Sequence, residues 1–179
     1  MKRTTLFILF FSAFSILAQD KFKTSTAIVN FEASVPFFEE VKAVNKLGII
    51  VLEPNTSTLI CTVVIKDFRF KMDLMQEHFN DNYIESRRYP KAVFKGKIEK
   101  FDMKDISENE KEYDVKGKLY IHGKYKVIAV KALIKKVPEG IQIASNFPLS
   151  VSDFNIEIPY MVANKISKIV QTDLSGIMK

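Results

Sequence analysis

Short segments in which apolar and polar residues alternate recur along most of this chain, whereas segments with helical periodicity are scarce. Because successive side chains of a strand point to opposite faces, such a segment predicts a β-strand with one face on a core. Repeated short strands separated by polar turns predict an all-β sandwich or barrel. Strand-like segments lie at residues 27–35, 48–52, 59–70, 92–98, 113–121, 127–134, 141–149 and 166–174.

One hairpin can be aligned from the sequence alone. With His122-Gly123 as a two-residue loop, Val115 lies opposite Val130 on an apolar face. Asp114 then lies opposite Lys131 on the other face. A slip by one residue would place Lys131 on the apolar face, because side chains alternate with a period of two. The sequence therefore predicts this register.

The N-terminal residues have the pattern of a secretory signal peptide. Two basic residues precede an apolar run over residues 6–17, and Ala18 supplies a small residue at a plausible cleavage point. The run is shorter than the roughly 20 residues that a membrane-spanning helix needs. We therefore predict a signal peptide over residues 1–18. Residues 19–179 are predicted to form a single domain, periplasmic or secreted, without a transmembrane segment.

Composition indicates a folded domain without a nucleic-acid partner. Hydrophobic residues make up 47% and charged residues 27% of the chain, which is typical of globular proteins. Loss of Lys2 and Arg3 with the signal peptide leaves 25 basic and 21 acidic residues, which lowers the formal net charge from +6 to +4. Acidic residues are interspersed among the lysines, so no basic groove for nucleic acid is predicted.

Residues that could carry catalysis or bind a metal are sparse. Cys61 is the only cysteine, lies in an apolar run and is predicted to be a small buried residue. His78 and His122 are the only histidines, and no metal-ligand spacing accompanies them. No nucleophile elbow or glycine-rich phosphate loop occurs. We therefore predict no enzyme activity, no metal and no cofactor, with both histidines in structural roles.

One helix is predicted, over residues 73–84. Asp73 and Gln76 have the spacing of a capping box at its start. Apolar residues spaced by four form one stripe along it. The stripe consists of Met75, Phe79 and Tyr83. In a closed barrel this stripe either seals one end as core or gates access to the interior, because the hydrogen-bonded wall leaves only the ends for access.

Several motifs resemble those of the YceI-like family of polyisoprenoid-binding periplasmic proteins. Residues 74–86 and the Tyr-Pro segment at 89–96 resemble its acid–His–apolar segment and the strand after it. Residues 117–123 are similar to its Gly-x-Leu-x-x-His-Gly hairpin, and residues 152–156 to its acid–aromatic turn. Residues 24–27 lack the family's usual histidine, as in a divergent member.

The resemblance implies a lipocalin-like antiparallel β-barrel of about eight strands with one short helix and an elongated apolar cavity. It also implies non-catalytic binding or transport of an isoprenoid or other long-chain lipid. Together with the alternation of apolar residues, it yields a set of candidate lipid-binding residues. These are Phe31, Phe68, Phe70, Met75, Phe79, Tyr83, Phe94, Leu119, Ile121, Val130 and Phe147.

Two other interpretations stay open from the sequence. An eight-stranded barrel can be filled by its own side chains, in which case the protein would bind another protein through its surface. An enzyme would require His78 and His122 to meet a carboxylate inside the cavity. The oligomeric state is also open, with a homodimer as one option.

Overall fold

Antiparallel strands make up most of residues 21–179, which are the residues that the structure, a computed structural model, describes. The predicted signal peptide lies outside this range. The strands are β1 Phe22–Ser34, β2 Lys42–Glu53, β3 Thr58–Val64, β4 Arg69–Phe70, β5 Lys91–Ile98, β6 Lys111–Ile121, β7 Lys124–Val137, β8 Gly140–Ser150 and β9 Ile166–Met178. One α-helix, α1, covers Asp73–His78.

Eight of these strands close into a barrel. Their order around the sheet is β1-β9-β8-β7-β6-β5-β3-β2, and β1 pairs with β2 to complete the ring. Closure removes the unpaired edges that an open sheet would expose. The two-residue strand β4 adds to the start of β2, where Phe70 lies opposite Ala43. The predicted all-β barrel of about eight strands with one short helix is confirmed.

The β6–β7 hairpin has the predicted register. Val115 pairs with Val130, and Asp114 pairs with Lys131, whose Nζ lies 2.8 Å from Asp114 Oδ1. His122 and Gly123 form the turn with φ angles of 50° and 70°, which is the backbone of a type I′ turn. This turn matches the right-handed twist of the two strands it joins, so the local sequence and the barrel agree.

The apolar run at residues 59–70 is two strands rather than the single segment the sequence suggested. β3 ends at Val64, and a 3₁₀ turn over Ile65–Asp67 redirects the chain before β4. The Ile65 N–H donates to the carbonyl of Pro90 at 2.9 Å, and the Phe68 N–H donates to that of Ile65 at 3.2 Å. Ile65 and Phe68 are both buried, because this segment crosses the end of the barrel.

The predicted helix is shorter than expected, and its capping box is wrong. Met72 occupies the N-cap position without a side-chain cap, and the Gln76 side chain instead accepts from the Phe70 N–H at 3.3 Å. Because Gln76 is engaged by β4, it cannot reach back to the start of the helix. After His78 the chain continues as a π-helical turn over Phe79–Tyr83.

The two ends of the barrel differ. At the closed end, where the β5–β6 and β7–β8 connections lie, Leu52, Ile98, Ile134 and Met178 are buried in one cluster. Phe101 of the β5–β6 connection packs against the same cluster. The open end carries the β1–β2 and β6–β7 connections, β4, α1 and the segment between β8 and β9. The core therefore fills the barrel at the closed end and leaves the interior unfilled towards the open end.

Candidate functional site

An apolar cavity of about 430 Å³ occupies the barrel interior from its middle to the open end. Leu59, Val115, Ala132 and Ile143 line its deepest part, above the core of the closed end. Among residues 21–179, no Asp, Glu, Lys or Arg side chain lines it. Its volume lies in the range of small-molecule sites. The barrel is therefore hollow, and its interior suits an uncharged apolar guest.

All eleven residues predicted from the sequence lie on the wall of this cavity. Phe94, Leu119, Ile121 and Val130 come from β5, β6 and β7, whose apolar positions face inward in the register described above. Lys116 and Lys118 are exposed, as that register requires. The role of the eleven residues in binding a lipid stays a prediction. They are Phe31, Phe68, Phe70, Met75, Phe79, Tyr83, Phe94, Leu119, Ile121, Val130 and Phe147.

Four phenylalanine rings form a cluster where the cavity meets the open end. Phe79 lies 5.4 Å from Phe31, 6.1 Å from Phe68 and 5.0 Å from Phe70, measured between ring centroids. Phe31 also packs on Phe68 at 5.2 Å. Aromatic pairs at these distances attract each other beyond simple burial. The cluster holds the π-helical turn against β1 and β4, and Phe79, which is only half-buried, closes it from the helical side.

Part of the cavity wall was not predicted from the sequence. The segment between β8 and β9 contributes Ile156, Ile158 and Val162 to the lining. Phe154 of the same segment is 1% exposed and belongs to the core. The alternation of Phe154, Ile156 and Ile158 with exposed neighbours was the available signal. This signal was not recognised because alternation predicts a strand, whereas this segment forms no strand and pairs with no neighbour.

Cys61, predicted to be a small buried residue, faces the apolar cavity and is half-buried there. It lies on β3 opposite Phe94 of β5. Burial among apolar residues raises the pKa of the Cys61 thiol to about 12. Since the thiolate is the reactive form of cysteine, this thiol is a poor nucleophile near neutral pH.

His122 fastens three segments at the open end. Its Nδ1–H donates to the carbonyl oxygen of Phe154 at 2.9 Å, and Nε2 lies 2.9 Å from Glu85 Oε2. The ring of Tyr89 packs against the imidazole with centroids 4.6 Å apart. The β6–β7 turn is thereby joined to the segment after α1 and to the segment before β9. This is the structural role predicted for the residue.

The two histidines are separate features of the open end. His78 is an exposed residue of α1 at the margin of the cavity, whereas His122 is held outside the cavity wall. In the part of the chain that the structure describes, no group of three or more His, Cys, Asp or Glu residues is placed to hold a metal ion. No helix in residues 21–179 is long and apolar enough to cross a membrane.

Comparisons with known proteins agree with this geometry. The family model of the YceI-like domain matches residues 20–176. A polyisoprenoid binding domain from Saccharophagus degradans superposes with a TM-score of 0.75 at 15% identity, covering 87% of this chain and 95% of that one. BcnA of Burkholderia cenocepacia gives 0.67 at 16% identity, with 83% and 94% covered. The Campylobacter jejuni YCEI protein gives 0.54 at 22% identity, with 74% and 80% covered. No curated protein matches by sequence.

Proposed function

Because the chain belongs to the YceI-like domain family, we propose that it binds a long-chain lipid, such as an isoprenoid, without catalysing a reaction. The observation that carries the proposal is the cavity of about 430 Å³ whose wall lacks charged side chains among the described residues. A similar solved structure is that of a polyisoprenoid binding domain, which supports the same class of ligand.

The depth of the cavity indicates how much of a lipid it takes. Val115 and Ile121 of β6 both line it, six residues apart, which is about 20 Å along the strand. With the usual strand tilt of about 40°, this corresponds to about 15 Å along the barrel axis. The hydrocarbon core of a bilayer is about 30 Å thick, so the cavity is about as deep as one leaflet. A longer chain would bend or extend through the open end.

Burial of hydrocarbon supplies the affinity in this proposal. Each buried methylene contributes about 0.8 kcal/mol. Ten of them contribute about 8 kcal/mol, which is comparable with the roughly 4–15 kcal/mol that association costs. A ligand held by apolar contacts alone must therefore be long, and short-chain compounds should bind weakly. A head group would remain at the open end, since the deep wall offers it no charged partner.

The proposed setting is the cell envelope. Residues 1–18 have the pattern of a signal peptide, which would export the domain to the periplasm or the medium. A hydrocarbon chain is poorly soluble in the aqueous space there, and a closed apolar barrel would shield it during transfer. No chemical step is required of Cys61 or the histidines. The competing interpretation, a filled barrel that binds only proteins, is disfavoured by the cavity.

Native mass spectrometry of protein incubated with membrane lipids tests the proposal. We expect one bound lipid per chain, and we expect Val130→Phe to reduce the bound fraction because its ring would occupy the cavity. The matched control is Ala129→Phe, since Ala129 is the exposed neighbour on the same strand. Failure of the wild-type protein to retain lipid from several lipid mixtures would refute the proposal. Equal retention by both variants would refute the assignment of the site.

A further inference from the structure

The most exposed large apolar side chains of the described chain share one end of the barrel. Phe37 is 104% exposed, Tyr160 is 96% exposed and Met161 is 86% exposed. The next in rank, Leu47 and Leu74, are each 58% exposed. An isolated surface leucine is ordinary, but fully exposed aromatic and methionine side chains gathered at one end mark a contact surface.

Strand pairing brings the loops that carry these residues together. Phe37 lies in the β1–β2 connection, and Tyr160 and Met161 lie just before β9. Ser34 at the end of β1 pairs with Ile166 at the start of β9, so the two loops are neighbours. Phe37 has a φ of 70°, a left-handed conformation that is rare for a bulky residue. Backbone outliers of this kind are concentrated at functional sites.

The exposed residues continue the wall of the cavity. Met72 and Leu74, at the start of α1, are both exposed and both line the cavity. Val162, one residue after Met161, lines it as well. We call the exposed set the apolar rim. The rim consists of Phe37, Phe38, Met72, Leu74, Tyr160 and Met161.

Charges near the rim are balanced rather than of one sign. The β1–β2 connection carries Glu39 and Glu40, and the Lys42 ammonium lies 2.6 Å from a carboxylate oxygen of Glu40. Basic and acidic residues also flank the other two parts of the rim. They are Lys71 with Asp73, and Lys165 with Glu157. A partner recognised mainly by charge would need an excess of one sign. The rim instead suits a lipid surface with an apolar hydrocarbon interior and electrically neutral head groups, and tyrosine is a residue typical of the boundary between the two.

We propose that the apolar rim inserts into the surface of a neutral phospholipid bilayer and places the cavity mouth against the membrane. This inference rests on the proposed function, because a lipid-binding cavity must exchange its ligand with a membrane. Docking in this orientation lets a hydrocarbon chain pass between bilayer and cavity without crossing water. Shallow insertion of loop tips resembles the binding of interfacial helices, whose strength follows the buried apolar area.

Flotation with phosphatidylcholine vesicles tests the docking surface. The rim variant carries Phe37→Ser, Tyr160→Ser and Met161→Ser, which leaves the cavity wall intact. The control variant carries Leu47→Ser, Leu133→Ser and Ile177→Ser, three exposed apolar residues of the barrel wall. All proteins are exported by the same host and purified in the same way, so they share the same N-terminus and differ only at the substituted residues. We expect the rim variant to bind vesicles about tenfold more weakly or worse, and the control within about twofold of wild type.

Equal binding by wild type and rim variant would overturn the proposal. So would binding that requires phosphatidylglycerol or disappears at high salt, because the partner would then be recognised by charge. The proposal would also be overturned if the wild-type protein formed a dimer and did not bind vesicles, while the rim variant was monomeric. The rim would then be an interface between two copies of the chain.

A second readout separates this inference from the proposed function. A fluorescent long-chain fatty acid added from ethanol reports cavity binding without vesicles. The rim variant should bind this probe like wild type but take it up more slowly from vesicles. Probe binding without vesicle binding in the wild type would overturn only the docking surface. Vesicle binding without probe binding would overturn the lipid-binding function and leave the docking surface supported.

Discussion

Replacing Phe79 by alanine tests whether the helical segment gates the cavity or merely seals the barrel. Phe79 is half-buried and packs against the three other rings of the aromatic cluster at the cavity margin. A gate residue should control how fast a lipid leaves while contributing modestly to folding. A sealing residue should contribute as an ordinary core side chain does.

The expected loss of stability follows from burial. Truncation of a fully buried phenylalanine to alanine costs about 3–5 kcal/mol. Phe68, which is 5% exposed and in the same cluster, should lose that amount and serves as the matched control. Since Phe79 keeps part of its surface in water, we expect Phe79→Ala to lower the free energy of unfolding by only about 2 kcal/mol.

Two measurements on the same samples decide between the roles. Urea unfolding of lipid-free protein gives the change in the free energy of unfolding. The dissociation rate of a bound fluorescent lipid gives the gating effect, and we expect release from Phe79→Ala to be about tenfold faster than from wild type, equivalent to about 1.4 kcal/mol. A loss of about 3–5 kcal/mol with unchanged lipid occupancy and release would refute the gate and leave Phe79 as core.

Three further changes have defined outcomes. Gly117→Ala should lower the free energy of unfolding, measured in urea, by about 1–3 kcal/mol, because the new Cβ would lie 2.4 Å from a backbone atom of the neighbouring strand. The control Gly176→Ala, whose nearest contacts would be 3.2 Å away, should lower it clearly less. Equal losses in the two variants would contradict the steric reasoning. The rate of alkylation of Cys61 should increase about tenfold per pH unit between pH 7 and 10, because the pKa of its thiol is about 12. A rate that reaches a plateau below pH 10 would indicate a thiol with an ordinary pKa. His122→Ala should cost about 1–3 kcal/mol, because the carbonyl of Phe154 loses its donor, and an unchanged urea midpoint would show that water replaces it.

The barrel was predictable from the sequence because several independent signals require the same arrangement. In the β6–β7 hairpin, a slip by one residue would bury Lys131 and separate it from Asp114, so only one register satisfies both faces. The loop residues His122 and Gly123 favour the type I′ turn that this register needs. Local turn chemistry and long-range burial agree here, and such agreement makes a prediction secure.

Other features could not be read from the sequence because tertiary contacts decide them. The break after Val64 carries no glycine or proline, and it exists because Ile65 bonds to the carbonyl of Pro90. Gln76 fits a capping box by spacing, yet β4 offers its side chain a different partner in the Phe70 N–H. Pro90 lies 25 residues from Ile65, and Phe70 lies on another element six residues before Gln76, so helix spacing rules could not identify either partner.

The candidate site was predictable as a set of wall positions but not as a cavity. Inward-facing Leu119 and Val130 follow from alternation, whether the barrel is filled or hollow. The interior stays hollow towards the open end because the apolar side chains that line it leave a space of about 430 Å³ between them. Whether side chains from opposite walls meet depends on the barrel diameter, which no local sequence pattern encodes.

The hollow interior also governs how this protein should respond to pressure. Unfolding eliminates internal space, and the volume change of unfolding becomes more negative as that space grows. With about 430 Å³ inside, the unliganded barrel should unfold at unusually low hydrostatic pressure. A hydrocarbon chain seated in the cavity removes that volume from the balance. The pressure at half-unfolding, followed by tyrosine fluorescence, should therefore be higher for the liganded protein than for the unliganded protein.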